Sequence, residues 1–285
     1  RAGLLIAPKG RLVESRTPLE PVDALFASEL AGEVLLSSLI EAIDEAAADS
    51  RITSIVMDLE DLAGPSTSQS MEIIQAIERF SASGKPIVAV GDYFSQSHYL
   101  LAAQADEIIL HPEGGISLMG FGVYRTYLKQ FLDNILVKFH VFRAGENKSA
   151  VEPYLRDDMS PQERIVVARW LNSLWDDYTA QVEKGRGKSE GDVTAFVNDF
   201  PARLEANGGD LAQVFLQEGY VDALLSGDEV EARVREIVDA VDDDGDVALV
   251  GLRRYLIDTR QPRDETLATI AVVPVEGTLI PGESI

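Results

Sequence analysis

Hydrophobic positions along this chain fall into two kinds of run. Short runs, β-branched and almost wholly apolar, alternate with longer stretches in which apolar residues recur every three or four positions. "GLLIAP" (3–8) is the first short run. "ITSIVMDL" (52–59) is the second, and its lack of polar alternation predicts a strand buried on both faces of a parallel sheet. "PIVAVG" (86–91) and "DEIILHP" (106–112) read the same way. Between them lie helical patterns over Glu33–Ala48, Gln69–Ser83 and Ser95–Ala105. Gly84 stops the second helix and Pro86 follows it. A β-α-β-α-β order at this spacing predicts an α/β fold with a largely parallel sheet.

Beyond residue 112 the pattern loosens. Gly122–Asn134 reads as a helix and "LVKFHVFRAG" (136–145) as a further strand. Ser160 opens the longest helix, with Pro161 at its first position and Glu163 completing a capping box. Val167, Leu171, Leu174, Trp175, Tyr178 and Val182 make one apolar stripe along it, as core or as a contact surface between subunits. "KGRGKSEGD" (184–192) ends that helix. Residues 204–224 read as turn, helix and strand-like tail, and Asp228–Ala240 as an acidic helix. "DDDGD" (242–246) has the look of a calcium loop. With Gly245 at the sixth position, however, Ala240 and Gly251 fall where the first and last ligands belong, so it reads as a solvated turn.

Composition narrows the function classes. The 285 residues carry 48 acids against 25 bases, a net charge of −23, which argues against nucleic-acid binding. There is no cysteine, and so no disulfide, thiol nucleophile or thiolate metal site. No apolar run is long enough to span a membrane. The start "GLLIAPKGRLVES" (3–15) and the end "IAVVPVEGTLIPGES" (270–284) look alike, the sign of an internal repeat. Residues 1–240 are thus expected to form a first repeat with a helical extension, 241–264 a linker, and 265–285 the opening of a second repeat. A targeting or anchor segment is expected upstream.

Three histidines, His98, His111 and His140, sit in no ligand spacing and read as structural. There is no Walker loop. The unusual stretch is "GENKSAVEPYLRDDMSP" (145–161), which sets Lys148 in a glycine-led turn among acids. By pattern alone Lys148 is either an ordinary salt-bridged lysine or a general base, which requires a neutral amine. Lys129 is the poorer candidate base, because helical lysines are usually solvated. The loop after Leu59, "EDLAGPSTS", holds a candidate nucleophile in Ser66, but Pro65 before it has no N–H to give to an oxyanion.

The segment "VFRAGENKSAVEPYLRDDMSPQER" (141–164) closely resembles the lysine-bearing segment of the bacterial signal peptide peptidase (SppA) family, in its long, two-repeat Gram-negative form. "ITSIVMDL", "SGKPIVAVGDYFSQSHYLLA" (83–102) and "GGDLAQ" (208–213) extend the resemblance over nearly the whole chain in the family's order. The resemblance implies a ClpP/crotonase-like spiral of ββα units. It also implies a serine–lysine peptidase that degrades cleaved signal peptides at the periplasmic face of the inner membrane, without metal or cofactor. By resemblance Lys148 is the base, and the nucleophilic serine lies in the second repeat, beyond Ile285; Ser149, next to Lys148, is read as orienting the amine rather than attacking. Implied partners are signal peptides and other extended apolar peptides, and further copies of the chain in a tetramer. One departure is local: Glu146 stands two residues before the lysine, where the family need not be acidic. Together with Glu152 it would raise the pKa of Lys148, the wrong direction for a base. A catalytically inactive scaffold of the same fold, or a peptide-binding protein, is the alternative. A crotonase-type acyl-CoA enzyme shares the fold only.

Overall fold

The structure, a computed structural model, describes residues 1–16, 32–142 and 149–260. Its frame is laid down in successive passes of the chain. The first runs through β1 (Ala2–Ile6), β2 (Gly10–Val13), β3 (Glu33–Leu35) and α1 (Leu36–Ala48). The second runs through β4 (Ile52–Asp58), β5 (Leu62–Ala63) and α2 (Thr67–Ser81). The third is β6 (Ile87–Phe94) and α3 (Gln96–Ala102), and β7 (Glu107–Ile116) opens the fourth. Strands β1, β4, β6 and β7 lie side by side in parallel in one sheet. Strand β2 pairs in parallel with β3 and β5 in a second sheet. The first two passes therefore place a strand in each sheet before their helix, which is the ββα unit expected from the sequence.

Helices follow: α4 (Lys129–Asn134), a single 3-10 turn (Ser149–Val151), α5 (Glu152–Leu155), α6 (Pro161–Gly185), α7 (Asp192–Ala206) and α8 (Leu211–Gln217). The chain then returns through β8 (Ala223–Leu224), α9 (Asp228–Val238), β9 (Leu249–Gly251) and α10 (Leu252–Thr259). The main sheet has the order β8-β7-β6-β4-β1-β9.

Alternation along β4 shows why its run is apolar throughout. Ile55 and Met57 join the larger core with Leu39, Ile43, Ile73 and Ile77 of α1 and α2. Val56, pointing the other way, meets Val88, Ile109 and the α9 residues Val234 and Val238. Arg233 fixes α9 to the sheet through a two-pronged bond to Glu107, at 2.9 and 2.7 Å. The end of α1 is closed from a distance: Lys85 donates to the carbonyls of Ala46 and Asp49, each at 2.7 Å, and burial lowers its pKa. Gly84 adopts φ +75°, the left-handed turn that ends α2.

Several expectations are corrected. The helix read over Gly122–Asn134 is confined to α4; residues 117–128 have no regular structure. The N–H of Leu128 bonds to Pro153 O at 2.7 Å, so it is taken by a tertiary contact. Residues 137–142, the described core of the expected strand, pair with no strand; Phe142 is 98% exposed, and a β-branched run without a neighbouring edge stays unpaired. Within the expected linker, β9 joins the main sheet by pairing in parallel with β1, and α10 follows it. Tyr255 of α10 donates to Asp49 at 3.2 Å. "DDDGD" is a turn, with Asp242 Oδ1 accepting from the amides of Asp244 and Asp246. The second copy of the internal repeat (270–284) lies outside the described residues.

Candidate active site

Lys148 and Glu146 lie outside the described residues; the platform that follows Lys148 does not. Ser149 begins the 3-10 turn and is half-buried. Pro153 in the first turn of α5 suits a helix start, since its missing N–H is not needed there. From α5 and the residues just after it, two bonds reach back to the head of α4. Pro153 O accepts from Leu128 N at 2.7 Å, and Asp157 Oδ1 accepts from Gln130 N at 2.9 Å. Tyr154 stacks on Phe139 with 4.8 Å between ring centres. Two links run forward: Arg156 pairs with Asp158 at 2.9 Å, and Arg164 approaches Asp158 at 3.7 Å.

The start of α6 departs from the expected capping box. Ser160 Oγ accepts from Glu163 N at 3.2 Å, as expected. Glu163 does not return the bond. Its carboxylate instead pairs with Arg125 at 2.9 Å. The Ser160 N–H goes to Glu152 Oε2 at 3.1 Å, and that bond holds the Glu152 carboxyl below its usual pKa. Sequence reading saw Glu152 only as a perturber of Lys148. The signal it missed was Arg125, a cation able to draw Glu163 away.

The other candidates resolve into structural roles. Ser66 is the N-cap of α2: its Oγ accepts from Gln69 N at 3.3 Å, and its own N–H is spent on Gln69 Oε1 at 3.1 Å. The loop after β4 thus forms a reciprocal capping box where a nucleophile was sought. His98 Nε2 sits 2.7 Å from Leu62 O in the core, His111 Nδ1 accepts from Glu113 N at 3.1 Å, and His140 is exposed, outside any strand. Lys129 stands at the start of α4 and is paired with Asp133, which raises its pKa, away from a base.

Gln96 was not foreseen. Its Oε1 accepts from Met119 N and Gly120 N at 3.0 and 2.8 Å, fixing the chain that leaves β7. A shallow cleft of about 220 Å³ opens beside it, between Met119, Phe121, Leu171, Trp175 and Val197. The α6 stripe divides. Tyr178 and Val182 are buried in this chain's own core, and Val167, Leu171, Leu174 and Trp175 are half-buried. Exposed apolar residues of α6 lie elsewhere, at Ile165, Val166 and Trp170. Tyr124 is 97% and Leu136 89% exposed. Among the described residues no helix is long and apolar enough to cross a membrane.

Two parallel sheets threaded by ββα units define an α/β chain of the kind expected above. The chain belongs to Peptidase family S49, whose profile matches residues 79–240. It is 35% identical to Protease 4 of Salmonella typhi over 289 residues, covering 99% of this chain and 46% of that protein. Against Protease 4 of Haemophilus influenzae the identity is 33%, with the same coverage. The chain therefore spans about half the length of these curated relatives, at 46%. Among solved structures, a mutant of the 1510-N membrane-bound stomatin-specific protease aligns over 88% of this chain and 94% of its own, at 10% identity and a TM-score of 0.41.

Proposed function

We propose that this chain supplies the general base of a serine–lysine peptidase. Lys148 takes the proton from a serine hydroxyl as the oxygen attacks a peptide carbonyl. Backbone amides beside that serine hold the oxyanion. The lysine ammonium then protonates the departing amine, and the neutral amine activates water to release the acyl group. Ser149 orients the Lys148 amine. The nucleophile belongs to a second repeat beyond residue 285. The substrates are cleaved signal peptides and similar extended apolar peptides, at the periplasmic face of the inner membrane. No metal or cofactor takes part.

The observation that carries this reading is the state of Ser66. Its hydroxyl caps α2, its own amide donates to Gln69 Oε1, and Pro65 ahead of it has no N–H, so neither of these two residues has an amide free for an oxyanion. The family relation and the likeness of 270–284 to 3–15 support a base here and a serine elsewhere. The full-length protein should be given an activated peptide ester, quenched in acid during the first turnover, and digested for mass spectrometry. The acyl group is expected on a serine outside residues 1–285. Acylation of Ser66 or Ser149, or of no serine in an active preparation, overturns the split dyad.

Assembly of several copies is part of the same proposal. Between residues 119 and 170 eight Lys or Arg stand against six Asp or Glu, while the whole chain carries −23. An apolar, slightly basic lobe on an acidic protein is complementary to the body of another copy. Tyr124→Asp with Phe142→Asp, both at almost fully exposed positions, is expected to reduce the native mass to that of one subunit without lowering the melting temperature. An unchanged native mass counts against the lobe as the contact.

A further inference from the structure

The geometry points to the cleft between the chain leaving β7 and helices α6 and α7 as a holding site for a neutral, apolar stretch of extended peptide. This rests on the reading of the chain as part of a peptidase, and not on which residue is the base. Each wall of the cleft is fixed from within the chain. Gln96 Oε1 accepts from Met119 N and Gly120 N, and its Nε2 donates to Gly120 O at 3.3 Å, so one side chain clamps the lip. Gly120 adopts φ +75°, which lets the lip turn there. Trp175 Nε1 donates to Thr194 Oγ1 at 2.9 Å and ties α6 to α7. The Trp175 ring stacks on buried Tyr178 at 5.5 Å, and Phe121 meets Tyr178 edge-on at 6.3 Å. The aromatic part of the lining therefore rests on the core.

No charged residue lines the cleft, on a chain in which charged residues make up 26%. An ionised group placed there would lose water and gain no partner, so the lining selects an uncharged occupant. Phe121, Leu171, Trp175 and Val197 supply apolar surface, and the one side-chain donor of Trp175 is already spent on Thr194. Polar capacity is left in two exposed lining residues, Asn172 and Asn198. Among the described residues no hydrogen bond engages either carboxamide. Each carboxamide offers two N–H donors and an acceptor oxygen, the complement of a peptide unit's C=O and N–H. An extended peptide has those groups unspent, whereas a folded surface has paired its own. A fatty acyl chain would cover the same amides and leave them unpaired. At about 220 Å³ the space falls below the roughly 300–1,000 Å³ of sites that take a whole small molecule, and suits a side chain or two of a longer ligand.

The test uses the full-length protein and an N-acetylated, C-amidated peptide of alternating alanine and leucine, with photo-leucine in place of one leucine. After illumination the labelled residues are mapped by mass spectrometry. Label is expected within 119–121, 171–175 and 194–198, saturable and displaced by the same peptide without the photolabel. N172A combined with N198A is expected to lower that label by about fivefold or more, with label elsewhere unchanged. Both positions are exposed, so the double variant should melt with the parent. Absence of label from all three stretches, as when a second copy covers the cleft, overturns the site. Displacement by palmitate but not by the peptide makes it an acyl-chain site and overturns it too, as does unchanged label in the double variant. Cross-linking needs no turnover, so none of these failures touches the role of Lys148, which the acylation experiment and Lys148→Ala decide separately.

Discussion

Lys148→Ala in the full-length protein is expected to lower kcat on an apolar peptide by at least about 10³-fold, the scale seen when a member of a nucleophile–base pair is removed. KM and melting temperature should stay near those of the parent. An ordinary lysine is neutral in only roughly one molecule in 2,500 at pH 7. The base must therefore be desolvated, or placed beside another cation, to work at neutral pH. Glu152 was the described acid that argued against this. Its carboxylate accepts from the Ser160 amide at 3.1 Å, so one of its oxygens already has a backbone partner. Full activity in Lys148→Ala would return the lysine to an ordinary ion-pair role and leave an inactive scaffold as the better account of this chain.

The largest expected effect on stability comes from Tyr99→Ala. Tyr99 is fully buried in α3, and burial drives its hydroxyl pKa well above the usual value. The ring meets Phe94 edge-on at 6.4 Å and Tyr220 at 6.2 Å, while the hydroxyl donates to Tyr220 O at 2.7 Å. One side chain thus joins β6, α3 and the turn after α8. Truncation leaves a cavity and an unpaired carbonyl together, about 3–5 kcal/mol by analogy with other large aromatics. At about 2–4 °C per kcal/mol the melting temperature should drop by roughly 10 °C. Tyr99→Phe keeps the packing and should lose about 1–2 kcal/mol. Thermal unfolding of both variants separates the two contributions; equal losses would mean that packing of this ring is not what matters.

Where a local rule and the tertiary environment agree, the sequence was legible. The uninterrupted apolar run of β4 reflects its burial on both faces, and Ser160 with Pro161 marked the start of α6 to the residue. Reading failed where a partner distant in sequence decides. Arg125 diverts Glu163, so half of the capping box moved to Glu152. Pro153 takes the Leu128 amide, so an apparent helix shortened to α4. Helix α7 escaped notice because Pro201 sits inside it and a left-handed Gly191 precedes it, yet Val193 and Phe196 are buried in the core. The acidic stretch after Ala240 lacks the apolar density of a core element, and its β9 strand is recruited by the edge of β1. For the site, Lys148 lies outside the described residues, and the Glu152–Ser160 bond that follows it in the chain was not legible in the sequence.

Strand β9 also bears on how this unit could be handled in isolation. It is only three residues long, yet it is the neighbour that keeps β1 from standing at the border of the sheet. A recombinant fragment stopped at Ala240 would bare the backbone of Gly3–Leu5 along with the Leu4 row, and would strip α10 from α1. An uncovered parallel edge of that kind recruits other chains. Soluble expression of this unit therefore calls for a terminus at or beyond Arg260, where Arg260 clasps Glu41 at 2.5 Å across the last turn of the covering helix.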